Sequence, residues 1–205
     1  MLRLDYTKLL NSIPLSESDK RLIEMGHDLR VDYLNILEKS LPENNFILEV
    51  STGTGRMLSL LVRLGYKVIS GDLDRELKEN SIKRVSKEYL PLVNYLILDL
   101  GRLPVKSNAQ KDIISVNTIH ELDEPENSFQ ELIRIHHREG KLVIADFNSL
   151  GFEVMDLAHR AVHGVPHREG IMKMSKVSKL LKNYYENVDI FDTQLNTVCI
   201  ATNKR

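Results

Sequence analysis

The sequence of 205 residues lacks several features that mark specialised classes of protein. It has no tryptophan, a single cysteine and no run that approaches the roughly 20 apolar residues of a membrane-spanning helix. Cys199 therefore has no partner for an internal disulfide, and its apolar neighbours predict a buried side chain rather than a nucleophile. The first residues, MLRLDYTKLLNSIP, do not contain the uninterrupted apolar core of a signal peptide. We therefore expect a cytoplasmic protein without a membrane partner.

An excess of charge of either sign is also missing. Lys and Arg total 28 against 29 Asp and Glu, so that the formal net charge is −1. This balance provides no long-range attraction to nucleic acid, although it permits a local basic patch. The hydrophobic content of 42% and the charged content of 28% are typical of a globular domain and exclude wholesale disorder. We therefore expect a globular protein for which nucleic acid is not the favoured partner.

Local patterns predict an α/β protein. The first part of the chain has helical spacing of apolar residues, and short apolar runs then alternate with helical patterns, which is typical of parallel strands joined by helices. The runs predicted as strands are 47–50, 67–70, 95–98, 112–116, 141–145, 188–191 and 197–201. Only DTQLN separates the last two, which is too short for a crossover helix, so they form an antiparallel hairpin. The predicted fold is a doubly wound, mostly parallel sheet of seven strands with a C-terminal antiparallel hairpin.

The stretch ILEVSTGTGR ends a predicted strand on Glu49 and follows it with a glycine-rich turn. Gly53 and Gly55 allow a ligand to approach backbone that side chains would otherwise cover. One candidate ligand is a nicotinamide dinucleotide, whose Gly-x-Gly-x-x-Gly motif needs a third glycine where this sequence has Leu58. A tight C-terminal hairpin is also foreign to the all-parallel sheet of that fold. A nicotinamide-dependent oxidoreductase is therefore the weaker interpretation.

Further motifs follow at the ends of the next predicted strands. They are VISGDLD with Asp72, LDLGRLPV with Asp99, and VNTIHELDEP with Asn117. Together with EVSTGTG, they make the chain from about residue 30 to about residue 202 resemble the class I S-adenosylmethionine-dependent methyltransferases, in particular the small-molecule, type 11-like group. The sequence departs from the family pattern at Ser51, where the family usually has its first glycine. The resemblance implies a Rossmann-like methyltransferase fold and S-adenosylmethionine as the cofactor.

The resemblance also implies roles for the residues at the strand ends. Asp72 matches the carboxylate that accepts both ribose hydroxyls, while Asp74 is better explained as the cap of the next helix. Asp99 matches the acid that accepts the adenine amino group, with Leu100 over the ring, and Asn117 lies beside the methionine end. The cofactor-binding residues implied in this way are Glu49, Ser51, Thr52, Gly53, Gly55, Asp72, Leu73, Asp99, Leu100 and Asn117.

His120 is the candidate catalytic residue. Methyl transfer needs a general base only when the acceptor arrives protonated, and a histidine can serve as that base near neutral pH. The alternative is that His120 begins the next helix and only shapes the wall of the pocket. Glu121 and Asp146 are weaker candidates, the latter because it ends the fifth predicted strand.

Three further histidines occur at a spacing of four: His159, His163 and His167. Such a spacing can place metal ligands on one face of a helix. Gly164 and Pro166 interrupt any helix before His167, however, and no HExxH pattern or additional cysteine supports zinc. We therefore expect no metal and a packing role for these histidines.

The resemblance divides the chain into a methyltransferase domain, 46–205, and an N-terminal helical segment, 1–45, that helps to cover the acceptor site together with a lid at 147–170. The Asn/Asp-Pro-Pro-Tyr motif of enzymes that methylate planar amide or base nitrogens is absent, because the corresponding place reads NTIH. We therefore expect a small organic acceptor and a monomer or homodimer. A protein side chain, RNA and a non-catalytic subunit that only binds the cofactor remain alternatives.

Overall fold

The computed structural model describes residues 5–40, 42 and 44–205, so residues 1–4, 41 and 43 of the predicted N-terminal segment lie outside this description. The strands are β1 Phe46–Val50, β2 Lys67–Asp72, β3 Val93–Ile97, β4 Asp112–Val116, β5 Leu142–Phe147, β6 Tyr185–Asp192 and β7 Asn196–Lys204. The helices are α1 Tyr6–Asn11, α2 Glu17–Glu24, α3 Leu29–Ser40, α4 Arg56–Arg63, α5 Arg75–Val85, α6 Pro125–Ile135, α7 Ser149–His163 and α8 Met174–Lys182, with 3-10 helices at Lys87–Leu92 and Ile119–Glu121. Among these described elements, none of the helices combines the length and apolar character needed to cross a bilayer.

The strands form one sheet in the order β3-β2-β1-β4-β5-β7-β6. Neighbours among β1 to β5 are parallel, and β7 runs antiparallel to both β5 and β6. The predicted fold class is confirmed, with strand bounds that differ from the prediction by up to three residues. Because the chain leads from β1 outward to β2 and β3, and from β4 outward to β5, a crevice opens beyond the carboxyl ends of β1 and β4.

The C-terminal hairpin is built into the sheet with its second strand inside. Cys199 on β7 pairs with Ile144 of β5 on one side and with Ile190 of β6 on the other. Its side chain is buried, as the apolar run predicts. The local pattern predicted the hairpin, but it could not show that β7 lies between β5 and β6.

Helices cover both faces of the sheet. Ile47 of β1 faces a core that contains apolar side chains of α1 to α5 and α7, whereas the next residue, Leu48, faces a core with α6 and α8. This alternation follows from the two-residue period of a strand. The central strands β1, β4 and β5 are therefore buried on both faces, and open space remains beyond the carboxyl ends of the strands.

Two buried acids attach the N-terminal helices to the rest of the protein. Asp19 on α2 forms ion pairs with Arg56 at 2.6 Å and with Arg84 at 2.7 Å. Asp32 on α3 accepts a hydrogen bond of 2.8 Å from the hydroxyl of Thr193, in the turn between β6 and β7. The described part of the N-terminal segment is therefore packed against the sheet domain.

Candidate active site

A cavity of about 490 Å³ lies beyond the carboxyl ends of β1, β2 and β4. Ligands of open parallel sheets bind at this position, and small-molecule sites have volumes of roughly 300–1,000 Å³. The predicted site residues in its wall are Glu49, Ser51, Thr52, Gly53, Asp72, Leu73, Leu100, Asn117 and His120. Of the predicted set, Gly55 and Asp99 do not form part of the wall.

The glycine turn after β1 contains two glycines with different surroundings. Both have a positive φ angle, +51° at Gly53 and +78° at Gly55, which L side chains rarely adopt. A Cβ atom on Gly53 would meet nothing within 4 Å, so open space reaches the backbone there. A Cβ atom on Gly55 would lie 2.7 Å from the Cβ of Ser81, so this glycine lets α4 pack closely against α5. Ligand access explains Gly53, and helix packing explains Gly55.

Ser51 occupies the position where the family usually has glycine. Its φ angle is +57°, in the left-handed region. This conformation costs a residue with a Cβ atom roughly 1–2 kcal/mol. The departure from the family pattern therefore strains the turn locally, and the serine side chain forms part of the cavity wall.

Glu49 is buried at the end of β1, with 2% of its surface exposed. Its carboxylate accepts hydrogen bonds from Thr52 Oγ1 at 2.9 Å and from Ser70 Oγ at 2.6 Å. Burial raises the pKa of this carboxyl group, the hydroxyls of Ser70 and Thr52 lower it, and the charge of Asp72 raises it, to about 7 overall. Glu49 is therefore only partly ionised at neutral pH, and a cation in the cavity would favour its ionised form.

The acids at the ends of β2 and β3 differ in position. The two carboxylate oxygens of Asp72 accept hydrogen bonds from the backbone N–H groups of Gly53, at 2.8 Å, and Asp74, at 3.1 Å. Each oxygen keeps a lone pair for a further donor in the cavity. Asp74 is the N-cap of α5, as the sequence predicts. Asp99 is exposed, and its carboxylate accepts a hydrogen bond from the N–H of Gly101.

Asn117 follows β4 and has a φ angle of +54°. Its Nδ2 donates a hydrogen bond of 2.9 Å to the hydroxyl of Tyr33 on α3, a buried residue of the cavity wall that the sequence analysis did not assign to the site. Its Oδ1 is buried and has no hydrogen-bond partner among the described residues. A buried acceptor without a partner is costly. This part of the cavity therefore offers a free acceptor to a ligand that carries a donor.

Arg56 is a second wall residue that the sequence analysis missed. It is the first residue of α4, where a cation is unfavourable against the helix dipole, and this conflict could have marked it. The structure supplies the compensation, because Arg56 Nε lies 2.6 Å from a carboxylate oxygen of Asp19. Asp19 also pairs with Arg84, so two guanidinium groups share one carboxylate. Of the two arginines, Arg56 lines the cavity.

The three candidates for acid–base chemistry form one cluster. His120 lies in the short 3-10 helix Ile119–Glu121, with 3% of its side chain exposed. Its Nδ1 is 2.6 Å from Asp146 Oδ1, and its Nε2 is 3.2 Å from Glu121 Oε1. Burial lowers the pKa of the imidazole, but the hydrogen bonds and charges of Asp146 and Glu121 raise it to about 9 overall. Both ring nitrogens are thus engaged, so His120 could take a proton from a substrate only after Glu121 moves away.

The histidines after residue 158 do not share one helix, as the sequence predicts, although His159 and His167 still lie close together, with ring centroids 5.4 Å apart. Helix α7 ends at His163, and Gly164 follows with a φ angle of +74°. His159 and His163 remain neighbours on α7, with ring centroids 4.6 Å apart. His167 turns back to His120, with ring centroids 5.0 Å apart. His167 thus lines the cavity, while His159 and His163 do not.

The loop after α7 lies directly on His120. A Cβ atom on Gly170 would be 2.4 Å from the Cα of His120, so only glycine allows this approach. The backbone N–H of His167 donates a hydrogen bond of 2.8 Å to Asp156 Oδ1, which holds the loop on α7. A second cavity, of about 940 Å³, shares Phe147 and His167 with the first. The two cavities are therefore neighbours that share two wall residues beside His120.

Comparison with known proteins finds similarity to methyltransferases. A family model described as a methyltransferase domain matches residues 48–144, whereas no curated protein gives a significant match. A solved S-adenosylmethionine-dependent methyltransferase from Aquifex aeolicus has a TM-score of 0.62 and 21% identity, over 91% of this chain and 98% of its own. A second, from Thermotoga maritima and described as a possible histamine N-methyltransferase, has a TM-score of 0.66 and 20% identity, over 85% of this chain and 89% of its own. At such identities the structural likeness shows the fold alone.

The segment matched by the family model runs through β1 to β5, whose carboxyl ends surround the cavity. It contains the glycine turn and the strand-end residues Glu49, Asp72 and Asn117 in the order that the family motifs require. The backbone at Gly53 has open space beside it, and Asn117 Oδ1 is a buried acceptor without a partner among the described residues. The methyltransferase interpretation is therefore confirmed over the nicotinamide alternative. Residues 48–144 of the chain are similar to a methyltransferase domain, and the fold is that of S-adenosylmethionine-dependent methyltransferases, which implies S-adenosylmethionine as the cofactor.

Proposed function

We propose that the protein transfers the methyl group of S-adenosylmethionine to a small organic acceptor. The cofactor supplies a methyl group activated on sulfur, so the protein has to align the acceptor and exclude water. The observation that supports a small acceptor is that side chains from separate segments of the chain, namely Tyr33, Phe147, Met155 and His167, line the cavity together with His120. A folded protein or a nucleic-acid strand would need an open groove at this point.

In this proposal the strand ends hold the cofactor. Asp72 accepts the ribose hydroxyls, and Leu73 and Leu100 flank the adenine. Glu49 faces the positive charges of the sulfonium and ammonium groups of the methionine part. Arg56, with its surplus positive charge, pairs with the methionine carboxylate. Each assignment matches a group of the cofactor to a wall residue of complementary charge or polarity.

The acceptor binds on the side of His120, which we propose as the catalytic residue in contact with it. The His120 ring lies against Phe147 and Phe152, with centroid distances of 5.4 and 5.6 Å. These aromatic faces exclude water and suit an acceptor with an apolar body. The second cavity shares the wall residues Phe147 and His167 with the first, and we propose it as the entrance of the acceptor.

We further propose that two segments cover the acceptor. The N-terminal helices contribute Tyr33, and the stretch 147–170 contributes Met155 on α7 and His167 after it. The Asp19–Arg56 ion pair and the hydrogen bond from His167 to Asp156 tie these covers to the glycine turn and to α7. Their opening would admit substrate and release product.

Transfer of a labelled methyl group tests the proposed function. The purified protein is incubated with methyl-labelled cofactor and with separate small-molecule, protein and RNA fractions of a cell extract. We expect label in the small-molecule fraction. Label only in the protein or RNA fraction would contradict the proposed acceptor class. Tight cofactor binding without transfer to any fraction would instead indicate a subunit that binds the cofactor without catalysis.

The role of His120 is tested with the acceptor identified in that screen. Replacement of His120 by Asn should lower turnover by at least about 100-fold, because a positioned catalytic group typically contributes this much or more. Cofactor affinity should remain nearly unchanged. His163→Asn is the matched control, because His163 is exposed and lies outside the cavity wall, and it should keep normal turnover. Near-normal turnover of His120→Asn would indicate that His120 has no catalytic role and only shapes the wall of the cavity.

A further inference from the structure

We propose that His120, Glu121 and His167 bind a divalent transition-metal ion at the acceptor end of the cavity. The proposal deepens the proposed function and rests on it, since the ion would hold the methyl acceptor. One ligand atom from each side chain lies within 4.8 Å of those of the other two, and all three residues line the cavity. Two imidazole nitrogens with one carboxylate oxygen suit zinc, iron, nickel or cobalt better than magnesium or calcium, which prefer oxygen ligands.

The spacing of the ligand atoms is close to that of a metal site. His120 Nε2 and Glu121 Oε1 are 3.2 Å apart. Two ligand atoms about 2.1 Å from one zinc ion, at a tetrahedral angle, lie roughly 3.4 Å apart. The side chain of Glu121 is 55% exposed, so its carboxylate has room to move. Such a movement allows His120, Glu121 and His167 to contact one ion together.

The orientation of His120 is held by a second carboxylate. Asp146 Oδ1 lies 2.6 Å from Nδ1 of His120, and Asp146 Oδ2 accepts the backbone N–H of the same residue at 2.9 Å. Histidines that bind metals generally donate their other ring N–H to a carboxylate or carbonyl in this way. The contact leaves Nε2 directed at Glu121, so Asp146 is a positioning residue for the site.

His167 brings an unsatisfied ligand atom to the cluster. Its Nε2 is buried and has no hydrogen-bond partner within the part of the chain that the structure describes. A buried polar atom in this state costs free energy, which a metal bond would recover. Gly170, which packs on the backbone of His120, and Asp156, which accepts the N–H of His167, hold the loop in place. The sequence analysis expected no metal ligands among His159, His163 and His167. His159 does lie beside His167, with ring centroids 5.4 Å apart, but the ligand atoms that lie within 4.8 Å of one another are those of His120, Glu121 and His167.

Three protein ligands leave coordination positions open for a substrate. An acceptor hydroxyl in such a position would lose its proton to solvent, because the cation stabilises the resulting oxygen anion. That oxygen then forms a bond to the methyl carbon while the bond from methyl to sulfur breaks, and the electron pair stays on sulfur. The class of acceptor implied is a small molecule with an ionisable oxygen.

Metal titration tests the site without any acceptor. The protein is treated with a chelator, dialysed and titrated with Zn²⁺ and, separately, with Mg²⁺ by calorimetry. We expect one equivalent of Zn²⁺ to bind and Mg²⁺ not to bind. Glu121→Gln and His167→Asn should each weaken Zn²⁺ binding at least about tenfold, because even the loss of an outer partner of a ligand costs roughly 10–100-fold. Glu121→Gln alters an exposed side chain, so its fold should be retained.

His163→Asn is the control, because His159 and His163 form the competing pair on α7. Unchanged Zn²⁺ binding in this variant supports the proposal. Loss of Zn²⁺ binding in it would assign the ion to His159 and His163 and would overturn the proposal. Absence of Zn²⁺ binding in the wild type would also overturn the proposal. So would Glu121→Gln and His167→Asn variants that bind Zn²⁺ as tightly as the wild type does. Cofactor binding is titrated on the same samples. Protein that binds cofactor but not Zn²⁺ refutes the metal site alone, and protein that binds Zn²⁺ but not cofactor refutes the proposed function alone.

Discussion

Replacement of Glu49 by Gln tests whether an ionised carboxylate attracts the cofactor. Glu49 is part of the cavity wall, and only 2% of its surface is exposed. Burial raises the pKa of its carboxyl group to about 7. S-adenosylmethionine carries positive charges on its sulfonium and ammonium groups, in the part proposed to face this residue. Only the ionised form of Glu49 attracts these charges, so cofactor binding is linked to the loss of its proton.

The linkage predicts a pH profile for cofactor affinity. With a pKa of about 7, the carboxyl group of Glu49 is roughly one-tenth ionised at about pH 6 and nine-tenths ionised at about pH 8. Affinity for S-adenosylmethionine should therefore rise roughly tenfold over this interval and then level off. Glu49→Gln should bind at the weak level throughout. Calorimetric titrations in a series of buffers across this interval measure both profiles.

The same replacement should affect stability in the opposite direction. Folding raises the pKa of Glu49 from 4.5 to about 7, so its contribution to stability is complete below the lower value and is lost as the pH rises through the higher one. The loss at about pH 8 is of the order of 3 kcal/mol, since one pKa unit corresponds to about 1.4 kcal/mol. Because Gln does not ionise, Glu49→Gln should raise the Tm of the free protein at this pH and change it less in acid.

Ser70→Ala is the matched control. The hydroxyl of Ser70 donates to Glu49 and lowers its pKa, so its removal should move the midpoint of the affinity profile to higher pH without abolishing the profile. A wild-type affinity that does not change between about pH 6 and about pH 8 would refute the linkage. Retention of the full pH dependence by Glu49→Gln would assign it to another group.

Three further predictions concern the strand ends and the N-terminal cover. Asp72→Ala should weaken cofactor binding by about tenfold to a hundredfold, because it removes charge-assisted hydrogen bonds. Asp74→Ala should lower the stability of the helix by about 1 kcal/mol and leave cofactor affinity nearly intact. Calorimetric titration of both variants checks which of them loses more cofactor affinity. Ser51→Gly should raise the free energy of unfolding by roughly 1 kcal/mol, seen as a Tm increase of about 2–4 °C, because it relieves the φ angle of +57°, and an unchanged or lower Tm would contradict this. Asp19→Asn should lower the free energy of unfolding in urea by about 3–5 kcal/mol, because it leaves two buried guanidinium groups without their shared carboxylate, and a loss below about 1 kcal/mol would be inconsistent with that ion cluster.

The fold class followed from patterns among near neighbours. Apolar runs separated by helical patterns predict parallel strands, and five residues between the last two runs permit only a hairpin. The position of Glu49, Asp72 and Asn117 around one crevice followed as well, because the carboxyl ends of parallel strands meet at one edge of a sheet. Strand bounds differed by up to three residues, because the ends of a strand depend on its pairing partners.

Motif positions predicted residue types better than they predicted side-chain surroundings. Gly55 matches the family motif, yet its missing Cβ makes room for Ser81 of α5. Asp99 matches a cofactor acid, yet its side chain is exposed and outside the cavity wall. A motif predicts which residue follows a strand, whereas the packing of the next helix and turn determines the direction of its side chain.

The sequence by itself determined the strands, the glycine turn and the end of the sheet at which the cavity opens, because these depend on local periodicity and chain order. Only the tertiary structure decided which distant side chains complete the site. Tyr33 meets Asn117 across 84 positions of the sequence, and His167 reaches His120 and Glu121 by way of α7 and the loop behind it. No periodicity relates such residues, since their contact arises when helices pack across the face of the sheet and carry their side chains to the same crevice.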